Sequence, residues 1–367
     1  MWRCWLLRSK VLIFCLYFFS IALSMPYSAL AKVKNDIIVT VSVSPESPFK
    51  TTMSFRAQKQ FTKRLLGSTT EVASYNPHWV RATLTVKKRI YVYDHDGQLY
   101  EKEMPRRYVL ANDVRQRIEE MVKSVEAVHF AQAIPWEQVK KTLKRMEFGT
   151  VIDLETGQRF DIQRRAGSRH ADVQPLTHKD TQIMKNIYQG KWSWKRRAIL
   201  VEVDGTYFAA SMHGMPHGAG AIKGNEFPGH FCIHFFGSST HRRTEPDPSH
   251  SMMILKASGA LATTLKEASP EELVGYFLTA LHEHDTHAMR MTTDGFSLPE
   301  GLSSIESVRT SEIVISSDER GPLLIEVPVR LSYIAREGEN FRGTWEFLLR
   351  RDVPGERWRI IAIELNP

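Results

Sequence analysis

The chain has 367 residues, 42% of them hydrophobic and 25% charged, with a formal net charge of +8. Such a composition is that of a globular protein and excludes disordered, collagenous and low-complexity classes. The length exceeds what one hydrophobic core usually organises, and a mild basic surplus identifies no partner by itself.

The first predicted element is a signal peptide over residues 1–31. "MWRCWLLRSK" carries Arg3, Arg8 and Lys10 and no acid, "VLIFCLYFFSIALSM" is an apolar run, and Ala29-Leu30-Ala31 places small residues where a signal peptidase reads. The run is short for a membrane span, which takes roughly 20 residues. An uncleaved N-terminal anchor is the alternative. Either way the body is expected outside the cytoplasmic membrane, secreted or associated with the cell wall, with no stable span after cleavage. Cleavage would remove Cys4, Cys15 and the three bases, leaving Cys232 alone and a net charge of +5 instead of +8. No intrachain disulfide could then form, and a lone exported cysteine implies an intermolecular partner or a reactive thiol.

Residues 32–135 read as an α/β region without recognisable chemistry. "DIIVTVSVS" alternates like a strand. "WVRATLTVKKRIYVYDHDGQLYEKEM" reads as two strands about an Asp96-Gly97 turn. "ANDVRQRIEEMVKSVEAVHFAQAI" has helical spacing, with Asn112 as its cap.

Residues 136–267 form a second, β-rich region. "WEQVKKTLKRM" is helical, and "GTVIDLETGQRFDIQRR" is a hairpin turning at Glu155-Thr156-Gly157. "HKDTQIMKNIYQG" is a helix stopped by Gly190. "RAILVEVDGTYFAASMHG" is a hairpin turning at Asp204-Gly205, "GHFCIHFF" a further strand, and "SMMILKASGALATTLKEA" one closing helix.

Residues 268–367 begin with the helix-start signal Ser269-Pro270-Glu271-Glu272, followed by one long helix, "EELVGYFLTALHEHDTHAMRM", and four strands. A helix followed by a curved meander resembles the nuclear-transport-factor-2-like (NTF2-like) cone fold. The region looks large enough for its own core, so a chain ending near Ala268 is expected to keep any thiol chemistry. His282, His284 and His287 lie on the helix and read as surface residues before metal ligands.

The chemistry concentrates around Cys232. Six of the fourteen histidines fall between His213 and His250, too dense for a solvated surface. On a strand, Phe231, Ile233 and Phe235 face one way and His230, Cys232 and His234 the other. A thiol beside an imidazole is the arrangement of a cysteine nucleophile. The preceding "MHGMPHGAGAIKGNEFPGH" is rich in glycine and histidine, a loop that lets backbone approach a substrate.

His217-Gly218, a glycine-containing loop, and then His230, Cys232 and Ile233 resemble the catalytic signature of the L,D-transpeptidases, which reads histidine-glycine, a loop, then S-H-G-C-I-R. The resemblance covers roughly Gly149 to Thr240. It implies a β-rich catalytic domain in an α+β multidomain protein, and attack of Cys232 on a peptide carbonyl of peptidoglycan. It also implies that His230 acts as base, that His217-Gly218 orients it, and that nearby backbone amides bind the oxyanion. Transpeptidation and carboxypeptidation are both open. Gly229, Phe231 and His234 replace the serine, glycine and arginine of that signature. His213, His234 and Arg242 are then candidate substrate contacts. So are Trp192 and Trp194 of the basic aromatic stretch "KWSWKRR", as stacking platforms for glycan; export argues against nucleic acid for that stretch.

Three other readings stay open. Cys232 could be a small core hydrophobe. His213, His217, His230, Cys232 and His234 could hold zinc, joined by His170 and Asp172, in a cell-wall peptidase; otherwise no cofactor is expected. A non-catalytic envelope-binding protein with a degenerate site is the third, favoured by Phe231 and His234.

Overall fold

The computed structural model describes residues 36–240, 245–313, 321–336 and 338–366. The expected signal peptide, with Cys4 and Cys15, and Arg242 lie outside them. The fold is mixed α/β, mostly strands, in three sheets.

The N-terminal part contains β1 (Asp36–Ser42), β2 (Lys50–Arg56), α1 (Lys59–Leu66), β3 (Thr70–Val72), β4 (Val80–Val86), β5 (Arg89–Asp94), β6 (Leu99–Glu101), β7 (Arg106–Tyr108) and α2 (Asn112–His129). The seven strands make one sheet in the order β2-β1-β4-β5-β6-β7-β3. Val114, Ile118, Met121, Val122 and Val125 of α2 are buried in the same core as Ile37, Val39 and Val41 of β1. Asn112 is the first helical residue and Ala111 the cap, so the expected capping side chain lies one position too late. The segment expected to hold two strands holds three. Its extra turn is at Lys87-Lys88, both at positive φ (47° and 71°). Lysine carries none of the Asn-Gly chemistry that marks such turns, so the turn has no local signal.

The central part contains α3 (Trp136–Thr142), β8 (Phe148–Asp153), β9 (Arg159–Ala166), β10 (Ala171–Pro175), α4 (His178–Ile187), β11 (Arg196–Val203), β12 (Thr206–His213), β13 (Phe231–His234), α5 (Pro248–Ala257) and α6 (Leu261–Glu267). Six strands close a barrel in the order β10-β13-β12-β11-β8-β9. Closure removes sheet edges. Phe160, Ile162, Val173, Ile199, Phe231 and Ile233 are buried in its core. Thr177 and Asp180 form a capping box that starts α4. The single expected closing helix is two, α5 and α6, because Gly259 at φ 72° ends the first.

The C-terminal part contains α7 (Pro270–Glu283), α8 (Thr286–Met291), β14 (Ile305–Ile313), β15 (Leu324–Ala335), β16 (Asn340–Arg350) and β17 (Arg359–Asn366), with the strands in an antiparallel meander. Ser269 and Glu272 form the capping box of α7. The long helix expected here breaks at His284, which adopts φ 58° and ψ 26°; Asp285 then caps α8 by accepting from Ala288 N–H. Among the described residues no helix is long and apolar enough to cross a membrane.

The three parts share apolar surface. One cluster joins Val43 and Trp79, the barrel's Ile152, Leu200 and Ala209, helices α5 to α7, and Trp345, Phe347 and Leu349 of the meander. Polar contacts follow the same seam: Arg357 lies 3.9 Å over the Trp79 ring, and Lys266 pairs with Asp96 at 2.9 Å. This differs from a detachable C-terminal module, because Met252, Met253, Leu261 and Leu265 belong to the cluster that the meander covers. A chain ending at Ala268 is therefore expected to lose cooperative unfolding and to bind an apolar dye such as ANS. Calorimetry and dye fluorescence check this; a sharp transition with no dye binding would show an independent central part.

Candidate functional site

β13 separates two environments by side-chain alternation. Phe231 and Ile233 enter the barrel core, and Cys232 and His234 lie on the other face. β10 pairs antiparallel with β13 on one side, with Asp172 directly opposite Cys232. β12 pairs on the other side, with Ser211 opposite His234. α5 packs across β11 and β12 and brings His250. The loop after β12 returns through an isolated bridge in which His217 and His230 exchange backbone hydrogen bonds of 2.9 and 2.8 Å.

Two glycines permit that bridge. Gly218 has φ 62°, and a Cβ there would lie 2.4 Å from the His230 ring. Gly229 has φ 121°, and its Cβ would lie 2.4 Å from the His217 carbonyl oxygen. A serine at 229 would clash, so this departure from the transpeptidase signature follows from the local backbone. Gln174 holds the loop from below: its side chain donates to Gly229 O at 2.8 Å and accepts from Ala221 N–H at 2.8 Å.

Two groups hydrogen-bond the thiol, His217 and Asp172. His217 Nε2 lies 3.4 Å from Cys232 Sγ, and its Nδ1 lies 3.1 Å from Met215 O. A carbonyl can only accept, so Nδ1 donates to it; in the neutral ring this leaves the Nε2 lone pair facing the thiol. His230 turns away: its Nδ1 meets Ala219 O at 3.1 Å, and its Nε2 lies 3.9 Å from Asp172 Oδ1. The resemblance expects the base at His230, but the imidazole hydrogen-bonded to the thiol is that of His217. Shared strand facing does not bring His230 to Sγ, whereas the fold-back of the loop brings His217.

On the far side of the thiol, Asp172 Oδ1 is 3.8 Å from Sγ and 3.1 Å from His170 Nε2. His170 stacks on His234 at 4.5 Å, and His234 stacks on His250 at 3.7 Å with rings 7° from parallel. His250 Nδ1 meets Ser211 Oγ at 2.9 Å. His234 is 2% exposed inside this column and is a packing residue, contrary to the expected substrate contact. Trp192 packs edge-on against Phe227 at 5.3 Å and braces the loop away from the thiol. Trp194 does reach the site: 51% exposed, it lies 4.7 Å from the His213 ring and 5.4 Å from the His217 ring. His213 is buried behind it. Sequence reasoning missed Gln174 and the stacking role of His250. His170 and Asp172 were visible as an H-x-D pair, but not their position opposite Cys232.

Burial pushes the Cys232 thiol well above its ordinary range, and the Asp172 carboxylate pushes it further. The resting sulfur is a neutral thiol, in contrast to the low-pKa thiolate expected of a cysteine between imidazoles. Burial also drives His213 and His250 well below the ordinary imidazole value, reinforced for His213 by His217 and for His250 by His234.

Two groups of ligand atoms, each within 4.8 Å of one another, share the sulfur: His213, His217 and Cys232, and His170, Asp172 and Cys232. His217 has the tautomer and carbonyl partner of a metal-binding histidine as much as of a base. No family model, no curated protein and no solved structure matches this chain.

Two outcomes follow from the electrostatics. Asp172→Asn removes a charge that disfavours thiolate, so Cys232 should alkylate faster at pH 7.5, read as iodoacetamide adduct by intact mass. His213 and His250 have folded pKa values below their unfolded value of about 6.5. As pH falls below about 6.5, the unfolded chain takes up protons first, and stability present above that value is lost toward the folded values. Tm should therefore fall on acidification from pH 7 to pH 5, and a His250→Asn chain should lose less over that interval.

Proposed function

We propose that the protein is an exported cell-wall enzyme of cysteine acyl-transfer type, acting on peptidoglycan stem peptides as an L,D-transpeptidase or L,D-carboxypeptidase. One observation carries the reading: Cys232 Sγ lies 3.4 Å from Nε2 of a histidine whose other nitrogen faces a carbonyl. In this reading the thiol proton passes to His217 as Sγ attacks the substrate carbonyl, and a thioester forms. His217 then delivers the proton to the departing amine. An acceptor amine or water cleaves the thioester, returning the proton to sulfur through the same nitrogen. A neutral resting thiol suits a transfer made only with substrate in place. Trp194, beside His217 and half exposed, forms the wall for the glycan or peptide. The signal-like N-terminus and the His217-Gly218 to Cys232-Ile233 spacing support the location and the substrate class. The helix and meander of the C-terminal part are consistent with an NTF2-like scaffold.

Intact mass with a carbapenem-type β-lactam tests the reading. A covalent adduct is expected on the parent chain and none on Cys232→Ala. His217→Ala should slow acylation by about 10²–10⁴-fold, the usual worth of a general base, with His230→Ala far less affected. Equal losses in the two histidine variants would sink the assignment.

The second reading is a zinc peptidase, favoured by the His213, His217 and Cys232 grouping. A tetrahedral zinc with the usual bond lengths of about 2.0–2.1 Å to nitrogen and 2.3 Å to sulfur accommodates the 3.4 Å N–S separation. Stoichiometric zinc in the purified protein, with chelation exposing the thiol and abolishing activity, would select it. Unchanged acylation after chelation selects the cysteine enzyme.

A further inference from the structure

Three imidazoles around the thiol share one arrangement. Nδ1 of His170 lies 2.8 Å from Ser239 O, Nδ1 of His217 lies 3.1 Å from Met215 O, and Nδ1 of His230 lies 3.1 Å from Ala219 O. A backbone carbonyl can only accept, so each Nδ1 donates, and in a neutral ring Nε2 is then the acceptor side. All three Nε2 atoms converge on the Cys232–Asp172 pair. That of His217 is 3.4 Å from Sγ; those of His170 and His230 are 3.1 and 3.9 Å from Asp172 Oδ1. Metal-binding histidines characteristically donate their other N–H to a carbonyl or carboxylate, which fixes the tautomer and aims the lone pair at the ion.

The Asp172 flank of the sulfur also has the spacing of a metal centre. His170, Asp172 and Cys232 each offer one ligand atom, all within 4.8 Å of one another. At 3.1 Å, a neutral His170 Nε2 and an ionised Asp172 Oδ1 call for a proton or a cation between them. A tetrahedral ion with bonds of about 2.0–2.1 Å to nitrogen or oxygen and about 2.3 Å to sulfur sets its ligand atoms roughly 3.3–3.6 Å apart. The separations here are 3.1 Å for Nε2 to Oδ1 and 3.8 Å for Oδ1 to Sγ. Strand pairing fixes this spacing, because Asp172 is the cross-strand partner of Cys232. The His170 ring is held in plane by its stack on His234 at 4.5 Å. His230 stands on the remaining side, 3.9 Å from Asp172 Oδ1.

The alternative grouping of the same sulfur with His213 and His217 is less apt. His213 Nδ1 accepts from Met215 N–H at 3.3 Å. Either its ligating nitrogen is spent on that bond, or, in the neutral ring, the other nitrogen carries the hydrogen. The donor set selects the class of ion. Thiolate, imidazole and a single carboxylate suit zinc, whereas magnesium and calcium take sets of oxygen ligands.

We propose that His170, Asp172 and Cys232 form a zinc-class metal site on the Asp172 flank of the sulfur, with its fourth position toward His230. An ion there would displace the thiol proton and hold the sulfur as thiolate. The site goes beyond the acyl-transfer reading and does not depend on it.

The probe is cobalt(II), titrated into the reduced full chain at pH 7.5, with binding rather than activity read. Saturation at one equivalent is expected, with sulfur-to-cobalt charge-transfer absorption, the visible bands of a tetrahedral ion, and displacement by zinc. Cys232→Ser should lose the charge-transfer absorption. Asp172→Asn, which keeps the side-chain shape, and His170→Gln should each weaken binding by more than about tenfold, since even outer-shell changes cost that much. His213→Asn should bind as the parent does. Where His170→Gln does not fold, iodoacetamide decides: zinc should protect Cys232 in the parent and fail to protect it in Asp172→Asn. Absence of charge-transfer absorption at millimolar cobalt overturns the proposal. So does undiminished binding in Asp172→Asn, or loss of binding in His213→Asn, which would place the ion with His213 and His217.

Discussion

The antiparallel pairing of β10 with β13 is the contact on which the site depends. It closes the barrel, and it sets Asp172 opposite Cys232. β13 is four residues long, and its alternation must serve a dry aromatic core and a polar outer layer at once. A one-residue slip would exchange the two faces, putting thiol and imidazole into the core and phenylalanine into the site. The burial of Phe231 and Ile233 thus fixes where Cys232 can point.

The outer layer is itself buried, and this decides its chemistry. His170, His213, His234 and His250 are each no more than 4% exposed. Burial disfavours the charged form of His213 and His250 in particular. The same desolvation disfavours the thiolate of Cys232, so the proposed acyl transfer calls for a proton acceptor beside it. In that proposal His217 is the acceptor, its Nδ1 held by the Met215 carbonyl.

The C-terminal part reaches the mouth of the site through the stretch before β11. Lys195 Nζ donates to the carbonyl oxygens of His282 and Glu306, and Glu283 accepts from Arg196 N–H. Gly214 N–H donates to Ser193 O at 2.8 Å. Trp194, beside His217, is therefore positioned by two residues anchored across the domain seam. The shared apolar cluster makes that seam stiff.

The sequence by itself determined the elements whose signals are local. The helix start at Ser269, the turns at Asp96-Gly97 and Asp204-Gly205, and the split of β13 into an apolar and a polar face all follow from neighbours a few residues apart. It also singled out Cys232, His217 and His230. Tertiary structure alone decided which histidine meets the thiol, because that depends on a loop folding back through Gly218 and Gly229. It decided that Asp172 lies opposite the sulfur, since residues 60 apart are paired by barrel closure and β10 contains Asp172 and Pro175, poor strand formers. It turned His234 from a substrate contact into the middle of a stack, because α5 covers that face. Periodicity records which side of a strand is apolar; what later packs on the other side is set by long-range burial, which leaves no periodic trace.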